Sequence, residues 1–174
     1  NLIVVVGHVN PNRVALLKKL VDIYPQITLL CSSPGGKLLQ EIWSQQKPSS
    51  TKKDIVDKEA ATKIPKTHLI KGIETMDINS NFQLKLIPTP TARWPGELMV
   101  FEESLGLLMS DKLFGAHVCT KEWEENTPSS TEEERRHYFD CLMASMSSQI
   151  NLIVEQLEEL DIRTIAPGHG PAIE

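Results

Sequence analysis

The sequence predicts an α/β fold. Its first half alternates short apolar runs with stretches of helical periodicity, its middle carries closely spaced runs of strand composition, and its last third is one extended amphipathic pattern. The run at 2–6 (Leu-Ile-Val-Val-Val) is apolar and mostly β-branched and reads as a strand, ending at Gly7. Asn10-Pro11 then starts a helix, with Pro at an early helical position and Val14, Leu17, Leu20 and Val21 at helical spacing before Pro25 stops it. Residues 27–31 make a short strand, and Ser33-Pro34 opens a second helix with Leu38, Leu39, Ile42 and Trp43 on one face. From 44 to 66 the chain turns to Gln, Lys, Ser, Thr and Pro, which predicts a flexible insertion; its basic residues between 47 and 66 read as a solvated loop.

Strands are expected at 67–71, 82–87, 98–101 and 105–109, separated by turn residues. The spacing of Phe139, Leu142, Met146, Ile150, Ile153, Leu157 and Leu160 predicts one helix over 131–160, with Glu132 to Glu134 placed to suit its dipole. Phe139, Met143 and Met146 read as core residues rather than a cofactor box. A last short strand at 164–167 leads into Gly-His-Gly-Pro.

Composition limits what such a fold can do. At 174 residues and 40% hydrophobic content the chain can bury a substantial core and reads as one domain or part of one. Residue 1 already adjoins a strand, so further polypeptide is expected upstream. Apolar runs are too short for a membrane span, and a net charge of -5 with interspersed signs argues against nucleic acid as the main partner. Cys31, Cys119 and Cys141 are odd in number and far apart, which indicates neither a disulfide framework nor a zinc knuckle; Cys119 and Cys141 have no neighbouring base that would make them catalytic thiols.

Chemistry concentrates where strands end. His8, Asp111 and His169 each follow an apolar run, and a fourth polar loop holds Arg93 and Trp94. Any one of these taken singly reads more simply as structural: a hydrogen-bonded histidine, a turn-forming aspartate, a surface arginine worth about 0–1 kcal/mol in an ion pair. His68 and His137 belong to no motif and are expected to be exposed.

Taken together, HVNPNR at 8–13, PTARWPGELM at 90–99, SDKLFGAH at 110–117 and IAPGHGP at 165–171 resemble the flavodiiron proteins, within the metallo-β-lactamase superfamily. The RWP and DKLFGAH segments are similar to the photosynthetic subset, from cyanobacteria and chloroplasts. The resemblance implies an αββα sandwich over 1–174 and a dinuclear iron site at one edge of two packed sheets. It also implies reduction of dioxygen to water, or of nitric oxide, with FMN on a separate flavodoxin-like domain and electrons from NAD(P)H or ferredoxin. Family members pair head to tail, which implies a homo- or hetero-oligomer, soluble in cyanobacterial cytoplasm or chloroplast stroma, and places Trp94 near a partner's flavin.

Carried over position by position, His8, Asp111 and His169 match metal ligands of an H-x-E-x-D-H site, whereas Asn10, Asn12, Arg13 and Arg93 stand at four of the seven ligand positions. Arginine stays protonated, only donates hydrogen bonds and cannot ligate a metal. The amide oxygens of Asn10 and Asn12 are poor substitutes for carboxylates at a redox metal. These departures predict a subunit without a stable diiron centre, in which Asp111 pairs with Arg13 or Arg93 and a small anion fits the surplus positive field. Such a subunit would rely on a partner with an intact site. A noncatalytic structural or regulatory partner is the alternative from another class. A metal-dependent hydrolase is the weakest, because an amide at Asn12 cannot serve as a base.

Overall fold

Side-chain alternation along the strands sorts the apolar residues into three separate cores, and that sorting defines the layers. The computed structural model describes residues 2–45, 64–79, 82–119 and 128–174. Among these residues β1 (Ile3–Val5), β2 (Thr28–Ser32) and β3 (Lys66–Ile70) form a parallel sheet in the order β1-β2-β3. Strands β4 (Glu74–Asn79), β5 (Phe82–Pro88), β6 (Leu98–Glu102), β7 (Leu107–Asp111) and β8 (Thr164–Pro167) form a second sheet in sequence order, antiparallel except for the parallel β7-β8 pair.

Helices α1 (Pro11–Ile23) and α2 (Ser33–Gln45) cover the first sheet, where Val14, Leu29, Leu39 and Trp43 are buried together. One residue along β2, Leu30 points the other way and joins Ile70, Leu86, Leu98 and Val100 between the two sheets. Ile87, Met99, Phe101 and Leu108 face outward from the second sheet onto Tyr138, Met143, Ile150, Ile153 and Leu157, from α3 (Pro128–Leu142), α4 (Ser147–Leu157) and the turn between them. Helix, sheet, sheet and helix are therefore stacked in that order, as the αββα expectation requires. β6 is buried at every position because it is central in its sheet and covered on both faces.

Local chemistry explains the element ends. Asn10 caps α1: its Oδ1 accepts the Asn12 backbone N–H at 2.9 Å, and Pro11 occupies the first helical position. Buried Glu102 accepts from Ser104 N, Ser104 Oγ and Leu105 N, closing the β6-β7 turn, which Gly106 completes at φ +60°.

Several expectations are corrected. The single helix over 131–160 is broken by a 3-10 turn at Ala144–Met146, where Ser145, Ser147 and Ser148 cluster, and Met143 and Met146 are both buried there. Phe139, grouped with them as core, is 37% exposed. β4 was not anticipated, because only Met76 and Ile78 alternate with polar residues in ETMDIN, too short an apolar signal to mark a strand. The insertion expected from 44 starts after α2 ends at Gln45, and residues 46–63 of it lie outside the described residues. No helix of the described residues is long and apolar enough to cross a membrane.

Candidate functional site

The two sheets are joined at one edge by a hydrogen bond from Leu98 N to Gly7 O at 2.7 Å, which brings the end of β1 beside the start of β6. His8 follows Gly7 directly, Asp111 is the last residue of β7, and His169 lies just beyond β8, which pairs with β7. The topology thus gathers three strand ends that are far apart in sequence.

Asp111 is the centre of the group. Its Oδ2 lies 2.5 Å from His8 Nδ1, and its Oδ1 lies 3.6 Å from Lys112 Nζ. It holds a left-handed φ of +54° at a register irregularity in the β7-β8 pairing, and its carbonyl accepts Gly168 N at 2.5 Å. Space around it is tight: a Cβ on Gly7 would come within 2.7 Å of Asp111 Oδ2, and one on Gly168 within 2.9 Å of Oδ1. Glycine at both positions lets the backbone close on the carboxylate. Burial pushes the Asp111 carboxyl up, but the hydrogen bonds and charges of His8 and Lys112 outweigh it and hold it below its ordinary 3.8.

Lys112 is buried, and its Nζ sits 2.9 Å from His169 Nε2. His169 is held below the ordinary histidine range, first by burial and then by the charges of Lys112, His117 and Arg13. The backbone N–H of Lys112 donates to Glu97 Oε1 at 3.1 Å. Glu97 is 2% exposed, and its carboxyl is pushed up to about 8 by burial, aided by Asp111 and opposed by Lys112. Tyr138 completes the wall: its hydroxyl is raised to about 12 by burial and by Glu97 and Asp111, its ring lies 4.7 Å from that of His117, and His117 lies 5.6 Å from His169.

The four substituted positions are arranged differently. Asn10 is occupied as the cap of α1, while Asn12 and Arg13 are exposed on its first turn. Arg13, His8, Asn10 and Asp111 line a groove of about 620 Å³ along α1, together with apolar residues such as Leu17 and Leu20. Arg93 is exposed and stacks over Trp94, with its Cζ 5.2 Å from the ring centroid. Trp94 is half-buried and packs against the core beneath α3 and α4. The expected pairing of Asp111 with Arg13 or Arg93 is therefore corrected: its ion-pair partners are His8 and Lys112. Among the described residues, no three His, Cys, Asp or Glu side chains come together as a metal-holding group.

Sequence reading missed Glu97, Lys112 and Tyr138. A signal existed for Glu97, a carboxylate leading directly into the apolar run Leu98-Met99-Val100. Lys112 gave none, since in an extended strand it would face away from Asp111. His68 and His137 are exposed as expected. Cys141, read as having no basic neighbour, lies one helical turn from His137, with Sγ 3.7 Å from Nε2.

Comparison with known proteins agrees with this architecture. A family model described as ODP family beta lactamase matches residues 2–170. Diflavin flavoprotein A 3 of Synechocystis sp. is 35% identical over 98% of this chain, which spans 26% of that protein. The chain thus covers about a quarter of the curated relatives it matches. Among solved structures, the metal-soaked Flv1 flavodiiron core from Synechocystis sp. superposes with a TM-score of 0.86 at 33% identity, over 99% of this chain and 39% of that one. A fragment of diflavin flavoprotein A 5 from Nostoc sp. gives 0.82 at 31% identity, over 99% of this chain and 60% of that one. The chain belongs to the ODP β-lactamase family, and its relatives are the diflavin flavoproteins, that is, the flavodiiron proteins.

Proposed function

We propose that this chain is the metallo-β-lactamase-like part of a flavodiiron oxidoreductase subunit that does not hold its own diiron centre. The observation that carries the reading is how the three retained ligand-type side chains are engaged. His8 Nδ1 is bonded to Asp111 Oδ2, and His169 Nε2 faces Lys112 Nζ, so these atoms are engaged with protein partners. Of the carboxylates that a diiron pair needs for charge balance, Asp111 alone is retained at a ligand position, and Glu97, the other acid of the site, is held largely neutral below about pH 8 by its burial. The residues present do not fit a dinuclear iron site.

Reduction of dioxygen to water would then take place at the intact site of a partner subunit, with electrons reaching it through FMN from NAD(P)H or ferredoxin. Relatives from cyanobacteria support a setting in cyanobacterial cytoplasm or chloroplast stroma. Exposed Arg93, stacked on half-buried Trp94, suits a surface that meets a partner's flavin.

The test is oxygen consumption by the full-length protein, alone and co-assembled with a family subunit that has all seven ligands. The expected result is no reductant-dependent consumption alone and consumption by the mixed assembly beyond that of the partner alone. Turnover by this protein alone would overturn the reading. A mixed assembly no faster than its intact member would instead make the chain a structural or regulatory partner.

A further inference from the structure

Lys112 is the feature of this site that the loss of ligands does not account for. Lysine is rarely buried unless paired, yet this one is 8% exposed. Its ammonium is met by His169 Nε2 at 2.9 Å and by Asp111 Oδ1 at 3.6 Å, two of the three retained ligand-type residues. Arg13 and Arg93, the cations that replaced ligands, are exposed and make neither of these contacts.

The backbone directs Lys112 there. Neighbouring residues of a strand face opposite sides, but the left-handed conformation of Asp111 breaks the alternation, and Phe114 turns the chain again at φ +65°. Ser110 Oγ donates to Leu113 O at 2.7 Å, and Glu97 Oε1 holds the Lys112 backbone N–H at 3.1 Å, so the turn is fixed at both ends. An imidazole nitrogen has one lone pair. While His169 Nε2 accepts from the ammonium it cannot also bind a metal, and the charge of Asp111 is already balanced by a cation of the chain itself.

We infer that Lys112 is the built-in cation of this site, occupying the acceptors of His169 and Asp111 so that regaining the four lost ligands does not by itself create a metal site. This rests on the reading above that the chain holds no diiron centre. Lys112 is a positioning residue here, acting through His169 and Asp111.

The test measures Fe(II) stoichiometry and affinity anaerobically on the full-length protein, with Co(II) absorption as a spectroscopic readout. Four forms are compared: unaltered; Lys112→Met; the restoration Asn10→Glu, Asn12→Asp, Arg13→His and Arg93→His; and the restoration combined with Lys112→Met. Lys112→Gln runs in parallel, since it removes the charge but keeps a donor, and it decides the matter if the Met variant does not fold. The expected result is that the restored protein binds Fe(II) at least tenfold more weakly with Lys112 than without it. Lys112→Met alone should bind none. Equal stoichiometry and affinity in both restored forms would overturn the inference. Iron in the unaltered protein would instead refute the proposed function, so the two failures are separable.

Discussion

Glu97→Gln should stabilise this protein at alkaline pH and change little in mild acid. The folded-state carboxyl lies at about 8, against an ordinary 4.5, because the side chain is sealed between Lys112 and the start of β6. Below 4.5 the acid is protonated in both folded and unfolded chains and costs nothing. As pH rises the unfolded chain ionises first, so folding loses ground until the folded-state value is reached, and the penalty is constant beyond it. The gap between 4.5 and about 8 corresponds, at about 1.36 kcal/mol per pKa unit, to about 5 kcal/mol. Glutamine keeps an oxygen to accept Lys112 N–H and carries no charge to bury. Urea unfolding of both proteins at intervals from about pH 5 to pH 9 should show the variant's advantage growing with pH to several kcal/mol. An advantage that does not vary with pH, or a wild-type protein that gains stability over this range relative to the variant, would refute the reasoning.

Asp111→Ala should cost about 3 kcal/mol in equilibrium unfolding, because it strips a half-buried partner from both His8 and Lys112. The folded-state carboxyl of Asp111 lies below 3.8, so its contribution is complete above that pH and lost as pH falls through the folded value; an acid limb of unfolding shared by wild type and variant would contradict this. Gly96→Ala should destabilise by about 1–3 kcal/mol, since its Cβ would lie 2.7 Å from Gly35 Cα, part of a backbone with little room to move. Gly72→Ala meets nothing within 4 Å and should be neutral or stabilising by up to about 1 kcal/mol, so thermal melting of the pair separates crowding from chain entropy.

Much of the architecture was legible because its elements are punctuated by strong local signals. Pro11, Pro25 and Pro34 mark helix boundaries, and the short apolar runs of β1 and β2 read as strands, although β1 is only half-buried and Ile3 is exposed. The break between α3 and α4 was hidden because Met143, just before it, and Met146, within it, keep a helical spacing, and β4 was hidden because its apolar alternation is confined to Met76 and Ile78. At the site, His8, Asp111 and His169 were found because each ends a strand. Their actual partners were not, because the left-handed Asp111 that turns Lys112 inward leaves no mark in composition or period. The arginines drew attention as lost ligands, yet both are exposed and the buried cation is the lysine beside them.

Whether this flavodiiron scaffold carries iron of its own is decided by elemental analysis of the full-length protein purified from an iron-replete source. The expected iron content is well below one atom per chain, beside an intact-ligand relative prepared in parallel. Two irons per chain, retained through anaerobic gel filtration, would contradict it.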